Sequence, residues 1–305
     1  MLPSRRLAWI SLLSVTIAWG ATFTLTKLAL ARVGVFSFLT MRFFLAAAVL
    51  FALLAGLRQW RDLRRQCIWR VGILLGVPLF MAYALQTVAL HTVSPAINAF
   101  LTGLNVAMVP LLSWFKGGQA PAKRTWGGII LAVAGLAFIS GADIWALSSG
   151  DLLVVLCAFF IALQLVLFDR YGSDLPSLSL AAVEILTVAS FSSVAALFHP
   201  WPDIAAWLHP TVILAVLFNG ILATALAYWA QNFFQRALGG SQVAFIFSAE
   251  PIFAALIAWF VLGDIIRSAQ WLGGGLIFSS MILADPAIQW PFHRKPRPVQ
   301  PFSAD

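Results

Sequence analysis

Charge is scarce in this chain. Charged residues make up 10% of the 305, and only 11 of them are acidic, whereas a water-soluble domain carries about a quarter charged residues. So few charges cannot cover a surface of this size for water, which excludes a soluble globular protein. Cysteine is almost missing as well. Cys67 and Cys157 are the only two, which excludes a disulfide-stapled scaffold. Glycine and proline are dispersed, so fibrous and low-complexity classes go too. The sequence holds no Asn-x-Ser/Thr sequon and no Walker or other phosphate loop. Of its four histidines, His91, His209 and His293 show no metal-ligand spacing, and no cofactor or metal is expected. What abounds is apolar: 61% hydrophobic residues and a mean hydropathy of +0.93. At about 20 residues per span, the chain has room for about ten membrane helices.

Apolar runs of spanning length recur between short polar breaks. They predict spans over Leu7–Ala29, Phe36–Leu57, Trp69–Leu90, Pro95–Phe115, Trp126–Ile144, Leu152–Phe168, Leu178–Phe198, Thr211–Phe234, Val243–Leu262 and Ala269–Ala284. None shows strand-type alternation, so helices are expected rather than a barrel. The fold class is therefore all-α integral membrane, with ten transmembrane helices. Arg5-Arg6 before the first run and Ala29-Leu30-Ala31 at its end resemble a signal peptide. The run is too long for a signal core and Lys27 interrupts it, so the helix is expected to stay.

Basic residues set the orientation. With the N-terminus inside, fifteen of the 19 Lys and Arg fall in inner segments: Arg5 and Arg6; Arg58, Arg61, Arg64, Arg65 and Arg70; Lys116, Lys123 and Arg124; Arg170; Arg236; and Arg294, Lys295 and Arg297. Lys27, Arg32 and Arg267 fall outside, and Arg42 lies within a span. This asymmetry places both termini in the cytoplasm. The net charge of +8 then reflects anchoring to anionic lipid and not nucleic-acid binding. The predominance of Arg among the basic residues hints at a GC-rich bacterial gene, so a bacterial cytoplasmic (inner) membrane is the expected location.

The sequence repeats at an offset of 145. Ala82-Tyr83-x-x-Gln86 lines up with Ala227-Tyr228-x-x-Gln231, Ala99-Phe100 with Ala244-Phe245, and Leu111 with Leu256. Trp114-Phe115 and Gly118 match Trp259-Phe260 and Gly263, and Trp126-x-Gly128-x-x-Leu131 matches Trp271-x-Gly273-x-x-Leu276. That is 12 identities across the 50 positions from Ala82 to Leu131. Residues 1–145 and 146–288 thus form two five-span repeats, followed by a cytoplasmic tail, 289–305. An odd number of spans per repeat makes the second enter from the opposite side, which predicts inverted repeats around a central cavity. That architecture is usual in secondary transporters.

Several segments carry a family resemblance: Trp19-Gly20-Ala21-Thr22-Phe23 with Lys27, Arg42-Phe43-Phe44, Phe100-Leu101-Thr102-Gly103-Leu104, Pro110-Leu111-Leu112, Glu250-Pro251-Ile252-Phe253-Ala254-Ala255 and Leu262-Gly263-Asp264. Over essentially its whole length the chain resembles the EamA family of the drug/metabolite transporter superfamily. The family commonly has Glu where Asp264 stands. The resemblance implies ten helices, cytoplasmic termini and a cavity lined by spans 1, 3, 4, 6, 8 and 9. It also implies export of small metabolites, often amino acids.

Polar side chains inside a bilayer are costly unless they meet a partner or water. Ser94, Asn98, Thr102 and Asn105 form one stripe on the fourth span. Thr224, Tyr228, Gln231 and Gln235 form another on the eighth, Tyr83, Gln86 and Thr87 a third, and Trp19, Thr22 and Thr26 a fourth. Either they line a wet cavity, or they make interhelical hydrogen bonds. Four stripes on converging spans favour the cavity. The candidate substrate-binding residues are Trp19, Thr22, Tyr83, Gln86, Asn98, Thr102, Asn105, Gln164, Tyr228 and Gln231. Amides and aromatic rings suit a small amphipathic or zwitterionic solute; a phosphorylated sugar would call for several mid-membrane Arg or Lys. Glu250, read near the middle of the ninth span, offers a carboxyl for proton coupling, or a structural group by Pro251 pairing with Arg236 or Arg42. Glu184 and Arg42, on spans the resemblance places away from the cavity, are expected to pair or snorkel. Lys27 is read as cavity mouth or interface anchor.

Small residues in the fifth and tenth spans, Gly127, Gly128, Ala132 and Gly135 with Gly273, Gly274 and Gly275, predict a close contact between those helices rather than a dimer interface, so a monomer is favoured. Pro78, Pro95, Pro110 and Pro251 are expected to kink their helices. The rival class is a membrane enzyme using His199-x-x-x-Asp203, which lacks an accompanying Ser or Cys nucleophile. Lipid flipping, an accessory role and proton-coupled efflux of cationic drugs also stand beside metabolite export.

Overall fold

The computed structural model describes residues 5–115, 120, 123–139, 148–238, 243, 246–247 and 249–284. The expected tail 289–305 with Arg294, Lys295 and Arg297 lies outside the described residues. So do Lys116, Gly118, Ala244 and Phe245, most of the Ala142–Gly150 connection, and the Arg236 side chain.

All regular structure among the described residues is helical. The chain forms α1 (Arg5–Leu30), α2 (Val35–Gly56), a 3-10 turn at Trp60–Arg64, and α3 (Gln66–Ala89). Next come α4 (Pro95–Thr102), α5 (Asn105–Phe115), α6 (Lys123–Ile139), α7 (Ser149–Tyr171) and α8 (Ser177–Ala196). After the short helical turn Ile204–Trp207, α9 (Pro210–Leu217) runs through a π-helical segment (Phe218–Leu226) into α10 (Ala227–Leu238). α11 (Glu250–Leu262) and α12 (Ser268–Ala284) complete the described helices. Seven helical runs are long and apolar enough to cross a membrane, among them Pro95–Phe115 and Pro210–Gln235 taken whole.

Many large apolar side chains face outward as well as inward, and several polar ones are buried. Phe115, Phe198, Phe260 and Ile265 are exposed, while Arg42, Asn98, Gln164, Glu184, Asn219, Gln231 and Asn232 are buried. An apolar exterior is stable when the surrounding solvent is lipid, and polar groups are then tolerated in the interior where they find partners.

Helix contacts occur in corresponding pairs. α1 packs on α11, and α7, which follows α1 by 145 residues, packs on α4 and α5. α3 packs on α7 and α8; in the same register, the run from α9 to α10 packs on α1 and α2. α2 meets α8, and α6 meets α12. Glycines make the closest approaches possible. A Cβ at Gly135 of α6 would lie 2.6 Å from the Gly273 carbonyl oxygen and 2.7 Å from Ile277 Cγ1 on α12. The contact expected from the small residues is therefore present. Gly135→Ala is expected to destabilise the fold by about 1–3 kcal/mol, since backbone cannot give way. Gly127→Ala, which meets only the flexible end of Leu283 at 3.2 Å, should change little. Thermal unfolding of the purified protein in detergent separates the two; equal melting temperatures would refute a tight α6–α12 contact.

Three local departures from simple spanning helices position polar groups. The fourth span breaks at Gly103 and Leu104, between α4 and α5. The ninth shows a turn at Ala249, so Glu250 opens α11 with Pro251 in its first turn. The expectation of Glu250 near the middle of one helix is thereby corrected: it stands at the start of a helical segment. Asn105, which opens α5, precedes Glu250 by 145 residues. The eighth span is π-helical over Phe218–Leu226, and within this segment the Ala223 carbonyl oxygen accepts from Trp19 Nε1 at 2.7 Å.

Candidate solute cavity

Residues of α1, α3, α4, α5, α7, α10 and α11, with Phe247, line a partly open pocket whose empty space, its opening included, is about 600 Å³. These segments fall in the runs that the sequence predicts as spans 1, 3, 4, 6, 8 and 9. The wall includes Trp19, Thr22, Tyr83, Gln86, Thr102, Asn105, Gln164, Tyr228, Gln231 and Glu250. Of the sequence-predicted residues only Asn98 stands behind it. Asn98 is fully buried and its Nδ2 donates to the Gln86 carbonyl oxygen at 3.0 Å.

The repeat register organises the wall. Trp19 and Gln164 are 145 residues apart, and so are Tyr83 and Tyr228, Gln86 and Gln231, Thr102 and Phe247, and Asn105 and Glu250; all ten line the cavity. Tyr228 and Tyr83 meet directly, the Tyr228 hydroxyl donating to the Tyr83 oxygen at 3.1 Å. Residues with equivalent places in the two halves touch in this way where the halves face each other.

One side of the cavity is aromatic. The Trp19 ring lies 4.6 Å from Phe247 and 5.7 Å from Tyr228, centroid to centroid, and its indole is held by the Ala223 carbonyl. Another side is amide and hydroxyl. Gln86 Nε2 donates to Thr102 Oγ1 at 3.2 Å, Thr102 Oγ1 donates to the Asn98 carbonyl oxygen at 2.8 Å, and Asn105 Nδ2 donates to the Thr102 carbonyl oxygen at 3.0 Å. This chain fixes the Gln86 amide in a defined orientation. The Oδ1 atoms of Asn98 and Asn105 stay buried without a partner among the described residues. Glu250 and Gln231 make no hydrogen bond or ion pair with a described residue, so their polar ends are available to a solute or to water.

The remaining polar residues of the stripes are committed to the fold. Ser94 caps α4 and accepts from the Ile97 N–H, Thr26 Oγ1 accepts from Asn219 Nδ2, and Gln235 Nε2 donates to Asp169 Oδ1. Thr224 Oγ1 accepts from Arg42 Nε at 3.0 Å. Local capping accounts for Ser94 and interhelical bonding for Thr26, Thr224 and Gln235.

Two expectations for charged residues are corrected. Glu184 neither pairs with a cation nor snorkels: Gln164 Nε2 donates to its Oε1 at 2.7 Å and Asn232 Nδ2 to its Oε2 at 3.2 Å. It is fully buried on α8 and ties α7 to α10, holding the amide of a wall residue. Arg42 also lacks an acidic partner among the described residues and is 2% exposed. Its guanidinium lies 4.6 Å from the Tyr83 ring centroid and 5.2 Å from that of Phe43. Lys27 Nζ donates to the Val93 carbonyl oxygen at 3.2 Å and fastens the end of α1 to the α3–α4 connection.

Sequence reasoning missed Leu79, Ala82, Ile161, Leu165 and Phe247 in the wall. As apolar residues in apolar spans they carry no polarity signal. Phe247 was accessible in one way, as the position matching Thr102 in the repeat.

The sequence model of the EamA-like transporter family matches residues 6–141 and 148–284. The chain belongs to the EamA-like transporter family. One relative, an uncharacterized transporter of Archaeoglobus fulgidus, is 30% identical over 92% of this chain and 86% of its own length. The uncharacterized transporter YyaM of Bacillus subtilis is 27% identical over 93% of this chain and 95% of its own. An S-adenosylmethionine/S-adenosylhomocysteine transporter of Chlamydia muridarum is 23% identical over 81% of each chain. One solved crystal structure superposes with a TM-score of 0.65 at 22% identity, over 92% of this chain and 97% of that one, and shares the fold. The EamA-like chain is accordingly a multi-pass membrane protein of a transporter family, and two copies of the family's domain make up its length.

Proposed function

We propose that this EamA-like protein is a ten-helix secondary transporter of two inverted five-helix repeats, exporting small amphipathic solutes, amino acids foremost, by alternating access. The observation that carries the reading is the set of five residue pairs, each 145 apart, on the walls of one cavity. Two similar halves that meet around a shared site can exchange conformations, opening the site first to one face and then to the other. Helix breaks beside Asn105 and Glu250, together with the π segment, supply places where the halves can bend.

The wall chemistry supports the solute class. Free ends on Gln231 and Glu250 suit an ammonium group, and Trp19, Phe247 and the tyrosines suit an apolar or aromatic side chain. The Chlamydia muridarum relative is named for solutes that join an amino-acid end to an aromatic nucleoside, a related chemistry. Substrate contact is assigned to Trp19, Thr22, Tyr83, Gln86, Thr102, Asn105, Gln164, Tyr228 and Gln231, with Asn98 supporting Gln86. Glu250, the uncommitted carboxyl of the wall, is assigned proton coupling. The protein is placed in a bacterial inner membrane, both termini cytoplasmic, as a monomer comprising repeats 1–145 and 146–288 and a cytoplasmic tail.

A second reading, proton-coupled efflux of cationic aromatic drugs, draws on one observation: Glu250 shares its cavity with the 4.6 Å Trp19–Phe247 pair. Flux measured with purified protein in liposomes, using amino acids and cationic drugs with and without a pH gradient, decides between the two. Saturable amino-acid flux supports export of amphipathic solutes. Flux of cations alone supports drug efflux, and no flux of any solute overturns transport.

A further inference from the structure

The least explained charge in the protein is Arg42. Its Nε is held by Thr224, and its Nη2 is buried without a partner. No carboxylate lies within ion-pair distance among the described residues: Glu184 is occupied by Gln164 and Asn232, and Glu250 stands on the cavity wall. A cation left unpaired inside a membrane protein is costly, and intramembrane charges that face an interior site mark solute and ion pathways. The guanidinium lies 4.6 Å from the ring centroid of Tyr83, a residue of the cavity wall to which it also hydrogen-bonds.

The tyrosine pair gives the charge an outlet. Two hydroxyls have two protons, and the Tyr228–Tyr83 bond uses one. The other is not taken up by any described residue, and it sits on the wall. A hydroxyl donor backed by a positive charge prefers an anionic acceptor over a neutral one, because the charge strengthens the interaction most where water is excluded. Glu250, a carboxyl that carries the opposite charge when ionised, lines the same cavity.

Building on the transport reading, we infer that Arg42 is a specificity-determining residue: acting through the Tyr83–Tyr228 hydroxyl pair, it makes the cavity select solutes that carry a carboxylate. The carboxylate meets the free tyrosine proton, and Arg42 supplies the balancing charge from behind the ring. An ammonium group on the same solute faces Glu250. A solute whose carboxylate is replaced by a neutral carboxamide loses the first interaction and leaves Arg42 uncompensated.

The test compares an amino acid with its own carboxamide, by ligand-induced thermal stabilisation of the purified protein in detergent and, in parallel, by competition for flux in liposomes. Wild type is expected to bind the acid at least about tenfold more tightly, the scale of a hydrogen bond to a charged group. Arg42→Gln is expected to bring the ratio close to one, while Arg42→Lys keeps most of it. Tyr83→Phe, which retains the ring and removes the hydroxyl, should also lower it; this covers the case in which Arg42→Gln does not fold. A merely structural role for Arg42 would weaken both ligands equally, and that result overturns the proposal, as does a wild-type ratio of one. Binding with the expected ratio but without flux overturns transport and leaves the selectivity standing.

Discussion

Glu250→Gln is expected to abolish the coupling of solute movement to a pH gradient: accumulation of solute against its gradient in proteoliposomes falls to a ratio of about one, while exchange at equal concentrations persists. The reason lies in what surrounds the other carboxyls. Glu184 accepts hydrogen bonds from Gln164 and Asn232, and Asp169 accepts one from Gln235. Asp151 closes a capping box with Ser148 at the start of α7. Among the described residues Glu250 alone lines the cavity as a carboxyl, and none of them satisfies it, so it can exchange a proton for a solute or a solute for a proton. An intramembrane acid with this freedom is the usual form of a proton relay. Glutamine keeps the size and hydrogen-bonding capacity and removes the proton site. Gradient-driven accumulation retained in Glu250→Gln would remove this residue from the mechanism.

The second large effect concerns Gly20, one residue beyond Trp19. A Cβ there would fall 2.8 Å from Phe253 Cβ and 2.9 Å from the Ala254 backbone nitrogen on α11. Part of that obstacle is backbone, so a branched side chain must push α1 away from α11. Trp19 would move with α1 and lose its indole bond to Ala223 and its contact with Phe247. Gly20→Val is therefore expected to cut flux by at least about tenfold, as small misplacements of binding groups do, and to cost about 1–3 kcal/mol of stability. The matching position in the second repeat is Leu165, a wall residue, so α1 approaches its neighbour with a bare backbone where α7 carries a full side chain. Wild-type flux and melting temperature in Gly20→Val would show that the close approach has no functional weight.

Much of the helical layout was legible in the sequence because hydropathy reads length and apolarity, the properties that bilayer thickness selects. Leu7–Ala29 became Arg5–Leu30, and Phe36–Leu57 became Val35–Gly56. The breaks were not legible. Gly103 and Leu104, Ala249 and the π segment at Phe218–Leu226 lie in runs whose hydropathy a turn or a wider helix leaves unchanged. Polarity marked the cavity well where the side chain faces it, as for Gln86 and Gln231. It did not distinguish them from Thr224 or Gln235, whose partners sit on helices far away in sequence. Arg42 belongs to an outer helix, yet aromatic stacking brings its charge to the back of a wall residue. The repeat proved more informative than its identities: applied to dissimilar residues, the same offset links Trp19 with Gln164 and Asn105 with Glu250.

Counterflow across proteoliposomes tests alternating access most directly. Vesicles loaded with a saturating unlabelled amino acid are diluted into a trace of the same compound, labelled. A carrier whose single cavity opens to one face at a time predicts transient uptake of label above its equilibrium level, faster than into unloaded vesicles and abolished in Gly20→Val. Uptake that is indifferent to the internal solute and linear in its external concentration would contradict alternating access at this cavity.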